Sequence, residues 1–169
     1  MKQELDEALC VKYPKIFKDR YGDMKETLMC WGFDVGNGWY KILDSLCAQI
    51  QDHIDWSHKS HDRDLEWNEK NPEKQREVRQ PIPQVVAVQV KEKFGGLRFY
   101  YDGGDDEISG MVRMAESWAA NTCEECGESG KIRYGGWHRT LCDKHAEKSG
   151  YDIDENERRE EMKSSGLEE

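Results

Sequence analysis

Nowhere in its 169 residues does the chain carry a run of about 18 apolar residues, so it offers no transmembrane helix. The opening stretch, MKQELDEALC, lacks the apolar core of a secretory signal. A cytoplasmic location with no membrane partner is therefore expected. Positive charge is also short: 25 Lys and Arg stand against 35 Asp and Glu, a formal net charge of −10. Residues 152–169, DIDENERREEMKSSGLEE, hold eight acids and three bases, half of that excess. A broad, sequence-independent grip on nucleic-acid phosphates needs a basic face. That class is disfavoured, while a small local anion site is not. Apolar residues make up only 36% of the chain and charged residues another 36%, so any core must be modest. No internal repeat is visible, and the length fits one domain with a small appended module.

What the chain does have begins with helical patterning. Residues 3–20 read as an amphipathic helix interrupted near Pro14, with Leu5, Leu9, Ile16 and Phe17 turned inward. Gly36-Asn37-Gly38 breaks regular structure. Asn37 is expected to cap the next helix, with Trp39 plugging the core. Trp39, Ile42, Leu43, Leu46, Cys47, Ile50 and Ile54 then recur at helical spacing, which predicts a core helix over 38–54. Residues 55–80 form a charged excursion without apolar period, compatible with a solvated helix that stops before Pro81. Its His58 and His61, amid Asp55, Asp62 and Asp64, are read as solvated side chains. Residues 105–120 carry acids in a first turn and an apolar stripe of Ile108, Met111, Val112, Ala115, Trp118 and Ala119.

Six cysteines without a secretory signal do not suggest a disulfide framework. Cys10, Cys30 and Cys47 read as small buried hydrophobes. The other three fall in CEECGESGKIRYGGWHRTLCDKH, where Cys123 and Cys126 make a C-x2-C pair and Cys142 and His145 a C-x2-H pair. Two such pairs separated by fifteen residues suit a tetrahedral zinc ion with no open position. Gly127 allows the knuckle to turn, Gly135-Gly136 a short hairpin, and Cys142 and His145 share one face of a following helix. His138 is the competing ligand but lacks a partner at knuckle spacing. Knuckle, hairpin and ligand-bearing helix resemble a treble clef, and the expected role of Zn2+ is structural. The whole is expected to be α+β: a small antiparallel hairpin packed on amphipathic helices over 1–121, a treble-clef-like finger over 122–151, and a disordered acidic tail over 152–169.

Between these lies PQVVAVQVKEKFGGLRFYYDGG, the β signal. With Gly95-Gly96 as a two-residue turn, Lys93 would face Arg98 and Lys91 would face Tyr100. Val88, Val90, Phe94, Leu97, Phe99 and Tyr101 would then share one face. Lys91, Lys93, Arg98 and Tyr100 would share the other with Val85 and Ala87. Opposed cations destabilise a hairpin, so this quartet is a candidate anion-binding wall. Glu92 falls among the apolar set, where an unpaired carboxylate is costly. Either a bulge shifts the register, or Arg113 or Arg133 pairs with it.

FDVGNGWYKILDSLC, VQVKEKFGGLRFYYDGG, SGMVRMAESWAANTCEECG and GWHRTLCDKH together resemble a group of short, functionally uncharacterised proteins of tailed bacteriophages and prophages. The likeness covers residues 28–54 and 84–146. It implies an accessory protein of the bacterial cytoplasm that binds and inhibits or modifies a host factor, as in anti-defence, through a host protein or an anionic small molecule such as a nucleotide. Two other classes compete. A nucleic-acid-binding finger would use Lys131, Arg133, Arg139, Lys144 and Lys148. A metal-dependent nuclease or hydrolase would need a water on the metal and a base such as Glu124 or Glu125.

Overall fold

The chain is described by a computed structural model over residues 1–152. The predicted acidic tail lies, from residue 153 onward, outside the described residues. Helix α1 (Gln3–Lys12) stops one residue after Lys12, at Tyr13, because Pro14 follows. The chain then makes turns that bury Ile16 and Phe17. Asp6, buried on α1, takes the Arg20 guanidinium in a two-pronged bond at 2.9 and 3.0 Å, which fastens that turn segment to the helix. Strand β1 (Phe33–Asp34) and a single 3-10 turn lead into α2 (Tyr40–Lys70). No helix among the described residues is long and apolar enough to cross a membrane.

The first half of α2 is the predicted core helix, with Ile42, Leu43, Leu46, Cys47, Ile50 and Ile54 all buried. Its second half belongs to the charged excursion, which is helical as far as Lys70. The following segment runs back along it as a strap held by side chains. Asn68 bonds both the N–H and the carbonyl of Arg76, whose guanidinium lies 4.0 Å from the centre of the Trp67 ring. His61 bonds the Arg79 carbonyl, and Ser57 accepts from Ile82 N–H.

Strands β2 (Val86–Lys93) and β3 (Gly96–Asp102) form the predicted hairpin, and β1 adds in parallel to β2 through Phe33–Val90 and Asp34–Lys91. The turn differs from expectation by one residue. Phe94 and Gly95 occupy it, both at positive φ (53° and 78°), the requirement of the tight turn that matches strand twist. Lys93 therefore faces Gly96, and Lys91 faces Arg98. A bulge between Ala87 and Gln89 then turns Val85 and Ala87 into the core, where both are fully buried, instead of onto the cationic face. Phe94 leaves the apolar face and is exposed. Val90, Leu97 and Phe99 stay in the core as expected.

Helix α3 (Asp106–Ala119) is capped by Asp105, whose carboxylate accepts from Ile108 N–H. Ile108, Val112, Ala115 and Ala119 form its buried row. Trp118, predicted inside, is 54% exposed. The small side chains of Ala115 and Ala119 bring α3 close to its neighbours, and Trp118 lies at the mouth of the α2–α3 seam beside Ile42 and Leu46. The chain ends in a knuckle, a two-stranded hairpin of β4 (Lys131–Arg133) and β5 (Arg139–Leu141), and α4 (Asp143–Lys148). The architecture is α+β, with small sheets and a Cys/His cluster in the C-terminal part.

Candidate metal centre and cleft

Four donors converge where the sequence pairs them. Cys123 lies just beyond α3, and Gly127 (φ 80°) closes the knuckle by donating to the Cys123 carbonyl at 2.8 Å. Cys142 immediately precedes α4, and His145 sits in its first turn. The ligand atoms of Cys123, Cys126, Cys142 and His145 all lie within 4.8 Å of one another. Cys126 and Cys142 Sγ are 3.9 Å apart, and His145 Nδ1 is 3.2 Å from Cys142 Sγ and 3.6 Å from Cys123 Sγ. Metal–sulfur and metal–nitrogen bonds of about 2.3 and 2.0 Å in a tetrahedron give edges of roughly 3.5–3.8 Å. The three edges of 3.2, 3.6 and 3.9 Å lie close to those values, so the cluster could hold one such ion, and no pair of sulfurs is joined. Burial pushes the Cys123 thiol up, but the backbone N–H groups of Cys142, Cys126 and Glu125 outweigh it and hold the thiol below its ordinary range. Such N–H groups stabilise thiolate, the form a metal takes. Burial and the neighbouring thiols push Cys126 up to about 11, so metal binding there displaces a proton.

His138 is not among these donors; its ring meets Tyr134 edge-on at 5.2 Å. His58 and His61 join no metal cluster among the described residues. Among the five finger bases, Arg133 and Arg139 are committed internally and Lys131 is not free either. Arg133 is 1% exposed and bonds the Leu141 carbonyl and Asp143. Arg139 reaches Glu124 at 3.3 Å and also pairs with Glu125.

The knuckle is docked hard against the body of the protein. Gly38 N–H donates to the Glu124 carbonyl at 2.7 Å, and Gly36 N–H to the Glu124 carboxylate at 2.9 Å. A Cβ on Gly36 would meet the Glu124 carbonyl oxygen at 2.2 Å, and one on Gly38 the Cys123 carbonyl at 2.1 Å. Only glycine permits that approach. The Trp39 indole N–H donates to the Thr122 carbonyl at 2.8 Å, so the core tryptophan also anchors the knuckle. Asn37 does not cap α2; its side chain accepts from Lys2 N–H at the head of α1 instead. At the other contact, the Thr140 hydroxyl donates to the Gly95 carbonyl at 2.6 Å.

Docking in this way encloses a cleft of about 850 Å3 between the hairpin tip, the end of β1 and the finger. It opens because β1 pairs with β2 only at Val90 and Lys91 and then turns away, leaving Glu92 and Lys93 on its wall. Of the predicted ligand-binding quartet, Lys91 and Lys93 line the cleft. Arg98 and Tyr100 do not: Arg98 bonds the Leu97 carbonyl at 2.7 Å, and Tyr100 is 42% exposed further along the strand. Neither Lys91 nor Lys93 makes an ion pair among the described residues, while Lys93 lies 5.5 Å from the centre of the Phe94 ring. Glu92 is satisfied without Arg113 or Arg133, accepting from Gly95 N–H and, at 3.1 Å, from the Trp137 indole N–H. Glu124, 6% exposed, lines the far wall; burial raises its pKa, and Arg139 works against that shift.

Sequence reasoning missed Phe94, Glu124, Trp137 and Arg139 as cleft residues. The one signal for the junction was the Gly36/Gly38 pair, which reads alone as a chain break. Compared with protein-family models, with curated proteins and with solved structures, the chain matches none.

Proposed function

We propose that this chain is a zinc-stapled binding protein that acts by occupying a partner, with the cleft between hairpin and finger as its working face. Three thiolates and one imidazole make a closed ligand set of the kind that selects zinc and leaves no position for a reacting water. In that reading the ion's task is to hold a treble-clef-like finger against the hairpin. Cys123, Cys126, Cys142 and His145 hold it, and it supplies folding energy instead of Lewis-acid chemistry.

The observation that carries the proposal is the cleft itself. Its walls come from Met1, the end of β1, the hairpin tip and the finger, cross-linked by Gly36–Glu124, Gly95–Thr140 and Glu92–Trp137 bonds, and it presents two lysine ammonium groups that make no ion pair among the described residues. A cavity of this size with a few convergent polar groups is the usual form of a ligand site. The resemblance to phage and prophage proteins supplies the setting we adopt: a bacterial cytoplasm, with a host protein or an anionic small molecule as the partner.

Native mass spectrometry of the full chain purified from a bacterial host tests this. The expected result is one zinc per chain and a further bound mass, with the second species lost in a Lys91→Glu/Lys93→Glu double variant that keeps its zinc. A bound species retained by that variant, or a chain with zinc and no partner, would remove the cleft from its assigned role.

A further inference from the structure

Phe94 is the only non-glycine residue at positive φ among those described. Its place in the hairpin turn is one where Asn, Asp or Gly is strongly preferred, and a bulky residue there is an outlier. The ring draws nothing from the core in return, since it is 70% exposed and lines the cleft. Strain maintained at an exposed aromatic points to use of that ring. A second ring, Trp137, is 67% exposed and lines the same cleft. Glu92 orders both segments: one carboxylate oxygen accepts from Gly95, the residue after Phe94, and the other from the Trp137 indole. The carboxylate that looked misplaced in the strand pattern is thus a clasp between the two ring-bearing segments. Beside the rings stand the ammonium groups of Lys91 and Lys93, two residues apart and so on the same face of β2; neither makes an ion pair among the described residues, and that of Lys93 lies 5.5 Å from the centre of the Phe94 ring.

We infer that the cleft binds a nucleoside phosphate, its base stacked on Phe94 and Trp137 and its phosphates on Lys91 and Lys93. The chemistry follows from what is uncommitted. Aromatic faces stack on any base, and lysines without a carboxylate partner act as point charges for phosphate. Of the other charged groups lining the cleft, Glu92 is held by the two N–H groups, Glu124 by Arg139 and Gly36, and the N-terminal ammonium by the Phe33 carbonyl, while Asp34 stands exposed on β1, its carboxylate with no bonded partner among the described residues. A volume of about 850 Å3 has room for a nucleoside phosphate. This assignment rests on the cleft being the working face and adds the class of ligand.

The test is calorimetric titration of the zinc-loaded full chain with the common nucleoside 5′-diphosphates, alongside pyrophosphate and the free nucleosides. At least one diphosphate is expected to bind tenfold or more tightly than pyrophosphate or its own nucleoside. Phe94→Asn should weaken that binding roughly tenfold or more through lost stacking. The same substitution should raise Tm by about 2–4 °C, because asparagine tolerates the turn that phenylalanine strains. Opposite signs for binding and stability are the signature of a residue kept for its ring. Glu92→Ala should weaken binding while leaving one zinc bound. Failure of every diphosphate to bind, pyrophosphate binding as tightly as the nucleotides, or unchanged affinity in Phe94→Asn would each overturn the assignment. If the diphosphates fail but a mass still co-purifies in a Lys91- and Lys93-dependent way, the ligand class alone falls. If both fail, the cleft reading falls with it.

Discussion

The two parts of this chain hold themselves together by different means. The body draws Leu9, Phe17, Trp39, Leu43, Ile50, Leu97 and Ile108 from every major element into one buried cluster. The finger buries Cys123, Leu141 and Ala146 in a small cluster of its own, with Cys142 and Tyr151 packed on it, and Cys123 and Cys142 belong to the group that could hold a metal. Apolar burial at roughly 25 cal/mol per Å2 can order the first but leaves little to order the second. Below about 40 residues a fold usually needs a metal or disulfides. Yet the weaker part forms one wall of the cleft. In the proposed reading, function is thereby tied to a region that an ion would order, while the body supplies the platform.

The largest effect expected from breaking this division is Cys142→Ser. With three donors left, the finger should lose zinc and most of an ordering energy of order 10 kcal/mol. Zinc stoichiometry should fall from one to none, while the helical circular-dichroism signal of α2 and α3 persists. Trp39→Ala strikes the body instead. It should cost about 3–5 kcal/mol in denaturant melts, and it also removes the indole bond to Thr122, so zinc affinity should fall with it. Asp105→Ala should cost about 1 kcal/mol at neutral pH by uncapping α3. Burial pushes Asp105 up, but the Ile108 N–H and the His53 imidazole at 3.0 Å outweigh it and hold the folded pKa low. A carboxylate with a lowered folded pKa stabilises above its unfolded value of about 3.9 and loses that contribution as pH falls through the folded value. The wild-type advantage over Asp105→Ala should therefore shrink below about pH 4. The smallest effect is Arg133→Met. Arg133 Nη1 is the one buried side-chain nitrogen or oxygen without a partner among the described residues. Methionine removes that orphaned nitrogen and the cost of a buried charge but forfeits the bonds to the Leu141 carbonyl and to Asp143; because the Asp143 carboxylate is exposed and is left in water, stability should stay within about 1 kcal/mol of wild type.

The same contrast explains what could be read from sequence. The metal donors were legible because each pair lies within one short turn, so its spacing is a local property. The first half of α2 and the α3 row were legible because burial imprints a helical period on them. The second half of α2 was legible only as compatible with a solvated helix, and its strap not at all, since the strap is held by Asn68, His61 and Ser57 bonding backbone, which leave no apolar pattern. The hairpin faces were recovered for Lys91, Leu97, Arg98 and Phe99. The turn was misplaced because Gly95-Gly96 imitates a two-glycine turn, while the actual turn carries a phenylalanine that local preference argues against. The cleft was invisible for a further reason: Gly36, Lys93 and Trp137 meet only through tertiary contacts, and no local period encodes their meeting.

Hydrogen exchange on the full chain, with zinc bound and after chelation, tests the central claim most directly. The account predicts that chelation strips protection from Gly36, Gly38 and Gly127, whose N–H groups bond within or across the knuckle, while Ile50 and Val112 amides in the body keep theirs. Gly95, held by Glu92 but tied to the finger through its carbonyl, should lose protection in part. Unchanged protection at Gly36, Gly38 and Gly127 after zinc is removed would contradict the account, because the finger would then hold the cleft wall without its metal.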